Sequence, residues 1–400
     1  MINSNNVLST ATRLFTTTCL GLAVLSNSNL ATAVEVDVQI HYLEQTIDRP
    51  PTRSKLIVWP EDDGQQGAAL GIADNNTTGK FLKHQYELQK TIVDNQSDLM
   101  VEAKKILGSG PVLLLLNVPA ESVVAIADLP AANDDLLFNA RSKRVSLRSE
   151  QCRSNVLHSI PSRAMLSDAL MQFFAKRRWS RLFLIEGHRA GDLLYAQAFR
   201  SSAKKFGLKI SDDKQWLEDA DIRRNASLEV PLFTQAKKYD AVVVADEDQD
   251  FGHYLLYNTW LPRPVAGSAG LSPVVWSPVI EQWGALQLHS RFRKLAGREM
   301  TGVDYANWAA VRSIGEAVTR TNTNVVAELS QYLIGDQFEL AGFKGHSLSY
   351  RDWNGQLRQS VPLVHAHAVA ANAPLEGYLH QLTELDTLGL DRPESQCSRF

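Results

Sequence analysis

The sequence predicts an α/β protein of two doubly wound, parallel-sheet lobes. Three observations predict it. The continuous apolar runs PVLLLLN (Pro111–Asn117) and AVVVAD (Ala241–Asp246) have the length and composition of strands buried on both faces of a parallel sheet. Segments of helical period take turns with strand-like segments along most of the chain. The alternation pauses near Ile160 and restarts after it, which gives two βαβαβ runs.

In chain order, Val36 to Tyr42 (VDVQIHY) alternates apolar with polar residues, as a half-buried first strand does. Leu99 to Leu107 has helical period and stops at Gly108-Ser109-Gly110-Pro111. The strand at 111–117 is followed by a short helix, Glu121 to Asp128, and a strand, Leu136 to Asn139. The stretch CRSNVLHSIPSRAMLSDAL (Cys152–Leu170) joins the halves: Asn155 to Ile160 reads as a strand, Pro161 ends it, and Ser162 suits the N-cap of the next helix. That helix, Met165 to Arg178, is read as amphipathic, with Leu166, Leu170, Phe173 and Phe174 on one side. Strand Arg181–Gly187, helix Asp192–Phe206, strand Leu208–Ile210 and strand Ala241–Asp246 complete the second run. Gly302 to Thr319 is helical again, and Ser347 to Val369 reads as a hairpin turning at Asn354-Gly355. Strands that return after a helical block interleave the lobes in sequence.

Composition narrows the function. With 44% hydrophobic and 21% charged residues the chain has ordinary globular make-up, and a net charge of -3 argues against a nucleic-acid binder or a polybasic membrane anchor. At the N-terminus, Arg13, the apolar run LFTTTCLGLAVL, polar SNSNL and Ala31-Thr32-Ala33 read as a cleavable signal peptide, residues 1–33, that sends the protein to the periplasm. Threonines before Cys19 do not fit a lipoprotein signal, and no later segment has the ~20 apolar residues of a membrane span. Cys152 and Cys397 remain after cleavage. In an oxidising compartment they either pair, tying the tail to the junction, or stay free thiols.

Enzyme-like signals fail. Asp246-Glu247-Asp248-Gln249-Asp250 opens like a calcium loop, but Phe251 replaces its turn glycine and Tyr257 its bidentate glutamate. His365-Ala366-His367 puts two imidazoles on one strand face with no third ligand in sight. There is no G-x-S-x-G, Walker A or Rossmann glycine fingerprint. The expectation is a protein that is not an enzyme, with no required cofactor and no metal site.

The residues Cys152-Arg153-Ser154-Asn155-Val156 with Pro161-Ser162, the strand and helix from RLFLIEG to Tyr195, AVVVADEDQDFG, and the helix around Asp304-Tyr305-Ala306 resemble type I periplasmic binding proteins, the branched-chain amino-acid group of ABC-transporter receptors. More narrowly, IADNNTTGKF (Ile72–Phe81), FNARSKR (Phe138–Arg144), WLPRPVAGSAGL (Trp260–Leu271) and the tail TELDTLGLDRPESQC (Thr383–Cys397) resemble the subfamily found with quinoprotein alcohol dehydrogenases and associated with pyrroloquinoline quinone (PQQ). The resemblance implies a three-crossover hinge, with crossovers at the Cys152–Leu170 stretch, near Pro273–Val279 and near Phe343–Ser347. Lobe 1 is then 34–160 plus 277–342, and lobe 2 is 161–276 plus 343–400. It also implies a monomer that binds a small molecule and an inner-membrane ABC permease, with a PQQ-dependent alcohol dehydrogenase as a further partner.

Departures from that family shape the ligand expectation. Its amino-acid receptors have a Gly-Pro and a small hydroxyl residue where this chain has Asn117-Val118-Pro119-Ala120, and small residues with a threonine where it has Phe138–Arg144. Arg141, Lys143 and Arg144, with Arg148 and Arg153 nearby, are more cations than a zwitterion needs and suit a polyanion. Ligands of open α/β sheets sit at the carboxyl ends of strands, so Trp59 and Glu61, Asn139 and Asp246 become candidates. Trp276 and Trp283 could stack on a planar ligand, and His158, Ser159 and the Ser162 helix start could meet it from the hinge. PQQ is the candidate ligand. The alternatives are another organic acid, an alcohol-derived metabolite, or a sensor or chaperone role beside a quinoprotein dehydrogenase.

Overall fold

The computed structural model describes residues 36–48, 58–217 and 222–400; the predicted signal peptide, 1–33, lies outside them. β1 (Val36–Gln45), β2 (His84–Val93), β3 (Leu113–Asn117), β4 (Leu136–Asn139) and β5 (Val156–His158) form a parallel sheet in the order β2-β1-β3-β4-β5. Helices α1 (Gln65–Leu82), α2 (Gln96–Leu107) and α3 (Ala120–Ala127) connect the first strands. The apolar run in β3 feeds two cores by alternation: Leu113 and Leu115 point to one face, Leu114 and Leu116 to the other.

The second lobe repeats the plan. It runs α4 (Arg163–Lys176), β6 (Arg181–Glu186), α5 (Ala190–Lys205), β7 (Lys209–Gln215), α6 (Ile222–Phe233), β8 (Ala241–Ala245), α7 (Gly252–Leu255) and β9 (Val265–Gly267), with sheet order β7-β6-β8-β9. Val243 and Val242 again serve opposite cores. In each sheet the order reverses at the lobe's first strand, and such a switch point opens a crevice beyond the strand ends.

The rest of the chain interleaves. β10 (Ser272–Pro273) pairs in the second lobe, and α8 (Ala285–Ala296), α9 (Gly302–Thr321) and α10 (Val326–Ile334) return to the first. β11 (Leu340–Ala341), β12 (Ser347–Tyr350) and β13 (Leu357–Arg358) form a small antiparallel sheet, while β14 (Val361–His365) and β15 (Ala368–Ala373) join β10.

Three local readings change. α4 is not amphipathic: every residue from Met165 to Phe174 is buried, because the helix is covered by β14, β15 and α5 as well as by its own sheet. The hairpin read over Ser347–Val369 is two hairpins in different sheets; Asn354-Gly355 turns only β12 into β13, and Ala366-His367 turns β14 into β15. His367 therefore sits in a turn rather than on a strand face beside His365.

The hinge has its first crossover at Pro161-Ser162, between Ile160 in the first core and Met165 in the second. A second passes from Pro273, paired to Leu363, to Val275 and Trp276 in the first core. The third falls between Leu357 and Val361, not at Phe343–Ser347, so 343–358 belongs to the first lobe: Leu348 and Tyr350 pack in its core. Phe343–Ser347 still braces the hinge. The buried Lys344 amine donates to Gln359 Oε1 at 2.6 Å and lies 4.6 Å from the Tyr305 ring centre, and Gln359 Nε2 donates to Ser159 O at 2.9 Å. A disulfide joins Cys152 and Cys397, holding the tail against the 145–152 loop.

Candidate functional site

A cavity of about 760 Å³ lies between the lobes at the carboxyl ends of both sheets. The loops after β3 and β4, with Trp59, Asp63 and Thr301, make the first-lobe wall; Arg163, Tyr195 and the loop after β8 make the second; residues 272–276 of the second crossover close its floor.

Of the sequence-predicted residues, Trp59, Arg141, Lys143, Arg144, Asp246 and Trp276 line this cavity. Arg141 Nη1 donates to Asn117 Oδ1 at 3.2 Å, and Arg144 pairs with Glu121 at 2.5 Å. Lys143 has no side-chain partner among the described residues. Trp276 is buried and stacked on Tyr305, ring centres 4.7 Å apart. The Asp246 carboxylate ties down its own loop: it accepts the N–H groups of Asp250, Phe251 and Gly252 at 2.8, 2.9 and 2.6 Å, and burial raises its pKa.

Glu61, Asn139, His158, Ser159, Ser162 and Trp283 stand outside the cavity lining. Asn139 instead builds the basic loop: its Oδ1 accepts from Ser142 N–H at 2.8 Å and its Nδ2 donates to Ser142 O at 2.9 Å. His158 is buried and held neutral, its pKa pushed well below the ordinary value by burial and by Arg148; Nε2 contacts Leu147 O at 3.1 Å and Nδ1 contacts Asn139 at 3.0 Å. The Ser159 carbonyl belongs to the hinge contact with Gln359. Ser162 is the N-cap of α4, its Oγ accepting from Met165 N–H at 3.3 Å, while its neighbour Arg163 is what reaches the cavity. Glu61 and Trp283 are exposed.

Other residues were not singled out from the sequence. Arg163 grips Glu247 through two hydrogen bonds of 3.0 and 2.5 Å on the second-lobe wall. On the first-lobe side, Tyr42 donates to Glu44 at 2.6 Å and accepts from Asn117 at 2.6 Å, which extends a buried polar chain to Arg141; burial raises the Glu44 pKa. Asp63 accepts from Thr301 Oγ1 at 2.5 Å. The one legible signal was Arg163, the residue after a predicted cap. The walls thus differ in charge: basic after β4, acidic after β8. Among the described residues no group of side chains is arranged to hold a metal ion, and no helix is long and apolar enough to cross a membrane.

Two doubly wound lobes, a three-crossover hinge and a cleft at the strand ends define the type I periplasmic binding protein fold, and this chain has that fold. Neither a protein-family model nor a curated protein sequence matches it. Among solved structures it is similar to a branched-chain amino acid ABC transporter periplasmic ligand-binding protein from Burkholderia xenovorans LB400, with TM-score 0.68 and 14% identity over 90% of this chain and 99% of that one. An ABC transporter substrate-binding protein from Desulfitobacterium hafniense in complex with Leu gives 0.62 and 15%, over 84% and 99%. A solute-binding protein from R. palustris in complex with benzoate gives 0.63 and 12%, over 90% and 99%.

Proposed function

We propose that the protein is a periplasmic solute-binding receptor that traps a small anionic ligand with an aromatic plane between its lobes and delivers it to an inner-membrane ABC permease, with PQQ as the candidate ligand. The observation that carries this reading is the loop after β4, which brings Arg141, Lys143 and Arg144 to one wall of the cleft and, among the described residues, leaves the Lys143 ammonium without a side-chain partner. A half-buried cation that lines the same cavity as Trp59 and Trp276 is suited to a carboxylate on a flat ring. Lobe closure about the hinge would complete the site from the Tyr195 side. The signal-like N-terminus and the periplasmic neighbours support the address.

Titration of the chain from Val34 onward with PQQ, followed by tryptophan fluorescence and the quinone absorption band, tests the reading. Saturable one-to-one quenching is expected, with the ligand recovered unchanged, as a receptor and not an enzyme would return it. Lys143→Ala should weaken binding by ~10-fold, the loss typical of a broken charge-assisted pair. No binding to oxidised or reduced PQQ would remove it as the ligand. A smaller aromatic acid is the second reading, favoured by the benzoate-bound neighbour; benzoate competing with or replacing PQQ in the same titration would support it.

A further inference from the structure

Beneath the basic loop lies a cation that no carboxylate among the described residues answers. Arg148, at the end of the 3-10 turn Val145–Arg148, is 2% exposed. Its Nε donates to Gln356 Oε1 at 2.9 Å, Nη1 to the carbonyls of Ser142 and Arg144 at 2.8 and 2.9 Å, and Nη2 to Ile160 O at 2.8 Å. Every partner is a neutral oxygen. Ser142 and Arg144 belong to the loop that lines the cleft, and Ile160 is the last residue before the first crossover. Burial, with Arg163 nearby, pushes the Arg148 pKa down to about 9, which leaves it charged at neutral pH.

We propose that Arg148 is the positioning residue of the anion site: it fixes the basic loop from below, and its unanswered charge selects ligands of net negative charge over zwitterions. This rests on the anion-receptor reading above. Carbonyl dipoles solvate a buried charge without cancelling it, so its field reaches the cleft through low-dielectric protein. An anion there supplies the missing countercharge, whereas a zwitterion brings repulsion with its attraction. The fork adds geometry: Nη1 bridges two carbonyls two residues apart while Nη2 and Nε face the hinge, an arrangement a lysine cannot copy.

The test compares wild type, Arg148→Gln and Arg148→Lys. Iodide and acrylamide quenching of Trp59, isolated by subtracting Trp59→Phe proteins, reads the potential in the cleft without assuming a ligand. Amide exchange over 140–149 reads the loop. The iodide-to-acrylamide ratio should fall roughly 2-fold in Arg148→Gln and stay near wild type in Arg148→Lys. Exchange at Ser142 should quicken by about 10-fold in both. An unchanged iodide ratio in Arg148→Gln overturns the proposal even if the loop loosens. Should that variant not fold, Arg148→Lys decides: faster loop exchange with the ratio kept supports the assignment, and unchanged exchange overturns it. PQQ titrated in parallel separates the two readings, since failure of the wild type to bind PQQ rejects that ligand while the quenching ratio still reports on Arg148.

Discussion

One residue type takes different roles within a few positions of this chain. Arg141 and Arg144 reach the cleft, Arg148 is buried under it, and Arg153 is paired with Asp128 at 2.5 and 2.7 Å. The spacing showed a basic segment; which arginine faces a ligand depends on partners such as Gln356, far along the chain. The polar residues Asn139, His158 and Ser159 were legible as important but not as loop-builders, since a buried histidine and a ligand histidine look alike in sequence. Asp192 was not singled out as a site residue, yet it ties two loops by accepting from Glu247 N–H at 2.7 Å and Arg189 N–H at 3.3 Å. Burial first, and then the neighbouring Asp246 and Asp248, push its pKa up to about 6. The folded state therefore holds a proton that the unfolded chain has released above about pH 3.9, and stability from this group is lost as pH rises from about 4 to 6. The stability advantage of wild type over Asp192→Asn should shrink by roughly 1–2 kcal/mol between pH 4 and pH 7, measured by urea denaturation at each pH.

At the scale of elements, the best-read segments were those whose burial follows one period. β3, β4, β6 and β8 lie where their apolar runs put them. α1 was missed, because QQGAALGIADNNTTGKFL is rich in poor helix formers. Its asparagines answer to tertiary partners: Asn75 Nδ2 donates to Val311 O at 2.9 Å, and Asn76 exchanges two 2.9 Å hydrogen bonds with the backbone of Tyr86. Its glycines let α9 approach, and a Cβ on Gly67 would stand 1.9 Å from Asp304 O. Gly67→Ala should therefore destabilise the protein by about 1–3 kcal/mol or more, through overpacking that no side-chain rotation relieves. A midpoint of chemical denaturation equal to wild type would contradict the packing. β2 was missed for a related reason: an edge strand, half exposed, carries no apolar run to mark it.

For the whole molecule, the hinge and the tail set what must move and what must not. Cys152 and Cys397 close a loop of 245 residues that spans both lobes. Replacing both with serine should cost about 2–4 kcal/mol and expose the tail beyond Asp391 to limited proteolysis, read by denaturation and mass spectrometry; equal stability and protease resistance would show that packing alone holds the tail. By itself the sequence determined two parallel-sheet lobes, the restart of the strand-helix pattern near Ile160 and the basic loop at a strand end. These follow from local periodicity and from the rule that places loops at sheet ends. Only the tertiary structure decided that the third crossover lies at 358–361, that His158 and Asn139 support the cleft wall instead of lining it, and that Arg163 and Glu247 face the cavity. Each of those outcomes depends on contacts between residues far apart in the chain, such as Arg148 with Gln356 or Asp63 with Thr301, and no local pattern specifies them.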